Sequence, residues 1–130
     1  MRDHTKLRAF ELADKLTLEI YRATRSFPRE EMFGLTSQVR RASLSMASNI
    51  VEGSARHTAA DYLRFLDMAF GSAQEVQYQL SLAFRLGFVA EADHKTLKDL
   101  SEETGRVLGG LIRGLRRKLD EGRAGCLAAK

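Results

Sequence analysis

A single cysteine, Cys126, stands among the 130 residues, and one thiol excludes an internal disulfide framework. Three scattered histidines, His4, His57 and His94, together with that thiol make a poor ligand set for a structural zinc. No stretch approaches the roughly 20 unbroken apolar residues of a membrane-spanning helix. The N-terminal Met1-Arg2-Asp3-His4-Thr5-Lys6 leads into an amphipathic segment and not into an apolar signal core. Tryptophan is absent and proline occurs once, at Pro28. There is no Gly-x4-Gly-Lys-Ser/Thr phosphate loop and no Gly-x-Ser-x-Gly nucleophile elbow. These absences lead us to expect a cytoplasmic, reduced protein with no membrane anchor and no cofactor.

What is present is ordinary for a globular domain. Apolar residues make up 44% and charged residues 29% of the chain, enough to build one core without staples. Four amphipathic segments follow one another. In the first, Ala9, Ala13, Leu16, Ile20, Ala23 and Phe27 recur at helical spacing, and Pro28 stops the helix near Ser26. The second begins near Arg29–Met32, with Leu35, Val39, Ala42, Met46 and Ile50 on its stripe. It is rich in small polar residues, and Gly53 is its expected stop. The third opens on Thr58-Ala59-Ala60-Asp61, a hydroxyl followed three residues on by an acid, the pattern of a capping box. Its stripe runs from Tyr62 to Leu86, and Gly87 is the expected end. The fourth starts near Ala90–Asp93 and carries Leu97, Leu100, Thr104, Val107, Leu111, Gly114 or Leu115, and Leu119, with Leu108 and Ile112 as a second apolar strip.

Short links between four such segments predict an all-α, antiparallel up-down four-helix bundle over residues 1–120. A flexible tail is expected over 121–130, where no stripe continues. Gly105, Gly109, Gly110 and Gly114 each cost about 1 kcal/mol relative to Ala in a helix, so close packing or fraying is implied there. The apolar residues of the third and fourth segments exceed one stripe. Phe65, Phe70, Phe84, Phe88, Leu108 and Ile112 are therefore read as a second face for contact between subunits.

Charge is uneven. The chain holds 21 basic and 17 acidic residues. Between Gly105 and Lys130 the basic residues are Arg106, Arg113, Arg116, Arg117, Lys118, Arg123 and Lys130, against Asp120 and Glu121. The whole +4 excess therefore lies at the C-terminal end, where it would attract a polyanion. A solvated helix end is the plainer reading, since Lys and Arg also suit the negative pole of a helix.

Signals for enzymatic chemistry are poor, and we expect no enzyme. One Glu-x-x-His, Glu91 to His94, has the spacing of di-iron bundles, which need two such motifs and two further Glu. No Arg precedes His57 or His94 at the spacing of helical-bundle ribonucleases, and Cys126 is read as a bystander thiol.

The constellation that departs from plain bundle grammar lies in the second segment. Gln38, Arg41, Ser45, Asn49 and Glu52 sit among its apolar positions, and Glu75 of the third segment is placed to meet them. One reading is a half-buried polar network that fixes helix register. The other is a basic groove for nucleic acid led by Arg40-Arg41.

Phe33-Gly34-Leu35-Thr36-Ser37-Gln38-Val39-Arg40-Arg41-Ala42, then Ser45 and Ser48-Asn49-Ile50-Val51-Glu52-Gly53, with Phe65-Leu66, Ala69, Gly71-Ser72 and Glu75, resemble the signature of a bacterial four-helix bundle family. That family includes the proteins encoded by intervening sequences of 23S ribosomal RNA and is related to the accessory protein of diversity-generating retroelements. The first helix carries no Trp where the family often has an aromatic, Val51 replaces a common Ala, and the basic C-terminal extension lies outside the pattern. The resemblance implies a ring-shaped homo-oligomer, a homopentamer, in an RNA-linked setting. Five copies at +4 each would carry +20, and many weak phosphate contacts presented together gain through effective concentration.

The expectation is then a non-enzymatic oligomeric scaffold that contacts RNA phosphates through Arg113, Arg116, Arg117, Lys118, Arg40 and Arg41. The alternative is a protein–protein adapter whose basic surface docks an acidic or ribonucleoprotein partner without binding nucleic acid itself.

Overall fold

The structure is a computed structural model that describes residues 2–128. A 3-10 turn at His4–Lys6 precedes helix α1, Arg8–Ala23; two further 3-10 turns, Thr24–Ser26 and Arg29–Glu31, lead to α2, Leu35–Ser54. Helices α3, Ala59–Arg85, and α4, Glu91–Ala128, complete the chain. Each helix packs on the two beside it, α1 on α2, α2 on α3, α3 on α4 and α4 back on α1. The result is the expected antiparallel up-down bundle. No helix among the described residues is long and apolar enough to cross a membrane.

The helix boundaries have local causes. The Thr58 hydroxyl accepts the backbone N–H of Asp61 at 3.1 Å, so Thr58 caps α3 as read, while the Asp61 carboxylate turns to Arg64 and does not close the reciprocal half of the box. Gly87 adopts φ +80°, and the Phe88 N–H reaches back to the Ala83 carbonyl at 2.9 Å, the closing bond of a Schellman end. Helix α2 starts later than expected, at Leu35. Its Leu35 N–H is capped by the Glu31 carboxylate at 2.9 Å. A β-carbon at Gly34 would stand 2.7 Å from that carboxylate, so glycine leaves the cap room. Gly53 does not stop α2. It is helical and buried, and a β-carbon there would meet Cβ of Phe65 at 2.8 Å. Its role is close approach of α2 to α3.

The stripes of α1, α2 and α3 point inward as read: Leu16, Ile20, Met46, Ile50, Leu66 and Val76 are fully buried. Leu86, expected to end the α3 stripe, is exposed at the helix cap. Small hydroxyl residues share the interior. Thr24, Ser54 and Thr104 each return a hydrogen bond to the carbonyl four residues back, which satisfies the hydroxyl without a partner helix.

Helix α4 differs from expectation in two ways. Leu108 and Ile112 belong to the protomer's own core, while Val107, Leu111, Leu115 and Leu119 are partly exposed. The cause is the length of α1. Arg8, its first residue, pairs with Glu103 at 2.9 Å, so the side of α4 that continues through Val107 and Leu111 has run past the end of its neighbour. Leu108 and Ile112 are therefore no subunit face. Phe65, Phe70 and Phe88 are half-buried and Phe84 is exposed. The second difference is that α4 continues through the expected tail to Ala128. Side chains 121–125 are all exposed, and residues 129–130 of that tail lie outside the described residues. At 1.5 Å per residue α4 is about 57 Å long and α1 about 24 Å.

Candidate nucleic-acid interface

Helix α4 presents Arg106, Arg113 and Arg117 at spacings of seven and four, which share one helix face. All three are exposed, as are Arg116 and Lys118. Arg116 is anchored: its Nη2 lies 2.8 Å from Asp67 Oδ2 on α3. Arg113 folds back over its own helix, and a β-carbon at Gly109 would stand 3.3 Å from its Nη1. Arg106 and Arg113 flank a shallow groove of about 410 Å³ between α3 and α4, with Phe70 and Gln74 opposite and Gly105 and Gly109 as its floor. The glycines thus serve the groove and the close packing of α4 on α3.

Arg40 and Arg41 part company. Arg40 turns to α1. Its Nε donates to the Thr24 hydroxyl at 2.7 Å, its Nη2 to the Tyr21 carbonyl at 3.3 Å, and its guanidinium lies 4.9 Å from the Tyr21 ring centroid. It ties the start of α2 to the end of α1. Arg41 is exposed and donates to the Gln38 side chain at 3.0 Å.

The polar constellation around Arg41 is partly assembled. Ser72 of α3 donates to the Ser45 hydroxyl at 3.0 Å across the helix pair, and Asn49 donates to the same hydroxyl at 3.2 Å. Gln38, Arg41 and Glu75 line a polar notch of about 190 Å³ beside this pair. Glu52 and Glu75 are exposed and make no ion pair among the described residues. The interhelical contact is therefore carried by hydroxyls, with the charged members at the solvent edge.

Sequence reasoning missed a second basic cluster. At the corner joining α2 to α3, the Arg56 and Arg64 guanidinium carbons lie 5.3 and 4.7 Å from the centroid of Phe65. Arg2 lies 4.2 Å from the centroid of Tyr62 and donates to the Arg56 carbonyl at 3.0 Å. Burial raises the Tyr62 phenol above its ordinary pKa, against the opposing pull of Arg2 and of a hydrogen bond with Ser54. The adjacency of Tyr62 and Phe65 to Arg64 was a signal in the sequence. The contributions of Arg2 and Arg56 were not, because they depend on where the chain returns. Since α4 runs antiparallel to α3, this corner and the C-terminal half of α4 occupy the same end of the bundle.

The other sites weighed from sequence are unremarkable in geometry. His94 stacks on Phe84 with centroids 4.1 Å apart. His57 is exposed. Among the described residues no three His, Cys, Asp or Glu side chains converge as metal ligands. The Cys126 side chain lies outside the described residues.

Comparison with known proteins adds a family. The family model described as 23S rRNA-intervening sequence protein matches residues 5–110. Among solved structures, the chain is similar to a protein of unknown function from the S23 ribosomal protein family of Bacteroides thetaiotaomicron VPI-5482. The TM-score is 0.72 at 21% identity, over 80% of this chain and 97% of that one. No curated protein matches significantly.

Proposed function

From the premise that the chain belongs to the 23S rRNA-intervening sequence protein family, we infer that it is a non-enzymatic helical scaffold that self-associates and binds RNA through the phosphate backbone. The observation that carries this reading is the exposed basic surface of the C-terminal half of α4. Arg106, Arg113 and Arg117 are exposed on one face, Lys118 is exposed beside them, and none of the four makes an ion pair among the described residues. Such cations displace condensed counterions from a polyanion, and Arg adds a bidentate fork. The family's description, which names an intervening sequence of 23S rRNA, supports RNA over other polyanions. Self-association draws support from apolar side chains the protomer does not fully cover: Phe33 is 92% exposed and Leu44 52%, and Val107 and Leu111 are only partly buried.

Binding of a fluorescein-labelled RNA measured by anisotropy from 50 to 200 mM salt tests the reading. Affinity should fall steeply with salt and depend weakly on sequence. Affinity that ignores salt argues against phosphate contacts. Light scattering on the same sample tests the ring, for which a homopentamer is expected; a mass near 14.6 kDa would remove it.

An adapter role is the second reading, favoured by Phe33 and Met32, which stand exposed together before α2. A partner that stays bound after nuclease treatment, with no RNA affinity in the purified protein, would select it.

A further inference from the structure

We propose that the α2–α3 corner is a clamp for the phosphate backbone of RNA, built from arginines that rest against aromatic rings. This rests on the RNA-binding reading above and adds Arg56, Arg64 and Arg2 to it.

Arg56 and Arg64 lie 5.3 and 4.7 Å from one point, the Phe65 centroid, so their guanidinium carbons are at most 10.0 Å apart. Two like charges gathered on one ring repel, and a bridging anion relieves that repulsion. Each cation is also fixed by a single local anchor. Arg56 donates from Nε to the Glu52 carbonyl at 3.2 Å. Arg64 donates from Nε to Asp61 Oδ1 at 3.0 Å, with Nη2 on the same oxygen at 2.9 Å. Arg2 uses Nη1 on the Arg56 carbonyl. Among the described residues, both Nη groups of Arg56, Nη1 of Arg64, and Nε and Nη2 of Arg2 carry no hydrogen bond. Asp61 is the carboxylate hydrogen-bonded within the group, and it engages Arg64 alone.

A guanidinium resting near an aromatic ring gives up part of its rotamer freedom before the ligand arrives, which lowers the entropy cost of binding. The arrangement also selects the kind of contact. The ring faces of Phe65 and Tyr62 are already attended by Arg side chains, so a base is not offered a bare aromatic platform, and the outward donors suit phosphate oxygens. The clamp is continuous with the α4 surface. Arg64 sits one helical turn before Asp67, the residue that holds Arg116.

The test uses the full chain, a fluorescein-labelled 20-nucleotide oligouridylate and a salt series. Three double variants are compared with wild type: Arg56→Gln/Arg64→Gln, Arg56→Lys/Arg64→Lys, and Arg117→Gln/Lys118→Gln. Thermal melts establish that each is folded, and the lysine variant keeps the charge should the glutamine variant melt early. The glutamine corner variant is expected to bind about tenfold more weakly at 50 mM salt, with the log–log salt slope reduced by about 1.4, the value for two lost phosphate contacts on a single strand. The lysine variant is expected to keep the slope and lose about threefold, because an ammonium has no planar fork. A folded glutamine corner variant with wild-type affinity and slope, beside an Arg117/Lys118 variant that is weakened, overturns the clamp and leaves the RNA reading intact. Lysine replacements equal to wild type overturn the aromatic-held fork. Wild-type protein that ignores oligouridylate at 50 mM salt removes the RNA reading itself, and the clamp with it.

Discussion

A β-carbon placed on Gly53 would stand 2.8 Å from Cβ of Phe65 and 3.2 Å from the Tyr62 ring. The two helices meet there with no room between them. Gly53→Ala should therefore destabilise the protein by about 1–3 kcal/mol through overpacking, even though Ala is the better helix former. Gly71 is the control. It is exposed within α3 and a β-carbon there meets nothing within 4 Å, so Gly71→Ala should stabilise by about 1 kcal/mol. Urea denaturation of both variants reads the two opposite signs.

Arg40 and Arg41 should separate in a paired substitution. Arg40→Ala removes the bond to the buried Thr24 hydroxyl and should cost about 1.5–3 kcal/mol, the range for a hydrogen bond to a charged group. Arg41→Ala removes an exposed contact with Gln38 and should leave the melting temperature within about 1 °C. If Arg41 contributes to RNA binding, its loss appears in affinity and in the salt slope, and not in the melt.

Tyr62 should give stability a pH dependence on the alkaline side. Burial raises its folded pKa above the ordinary 10.0, so the unfolded chain ionises first. The stabilisation is then fully present below about pH 10 and lost as pH rises through the higher folded value. Urea midpoints compared at pH 9 and pH 11 should fall more for wild type than for Tyr62→Phe. Equal falls would remove Tyr62 as the source.

The end of α4 should open locally. Residues 121–125 are exposed all round, and helix alone is marginal over so few turns. Amide exchange there should be near the unprotected rate while Leu66 and Leu108 exchange through global unfolding. Truncation after Asp120 should leave the melting temperature unchanged within about 1 °C.

Much of the bundle was legible because it rests on local rules. Helical spacing set the faces of α1, α2 and α3. Thr58 and Gly87 announced a start and an end through chemistry that acts within one turn. What failed to show depended on where helices stop relative to one another. The assignment of Val107 and Leu111 to the core, in place of Leu108 and Ile112, followed an apolar period that both sets satisfy; the end of α1 beside Glu103 decided between them. Gly53 looked like a terminator because its neighbour Phe65, 12 residues on, was not yet in view. In the candidate interface, the exposed positions of Arg116, Arg117 and Lys118 followed from composition. The diversion of Arg40 to Thr24 and the gathering of Arg2, Arg56 and Arg64 required the folded chain.

The placement of Arg2, Arg56, Arg64, Arg117 and Lys118 at one end gives the molecule a permanent electric moment along its long axis. A polyanion of the kind proposed above would feel a torque from such a body before any hydrogen bond forms, and its encounter would begin end-on. Added salt would then act twice: it competes at the phosphates, and by shortening the Debye length, about 8 Å at 0.15 M, it weakens the alignment.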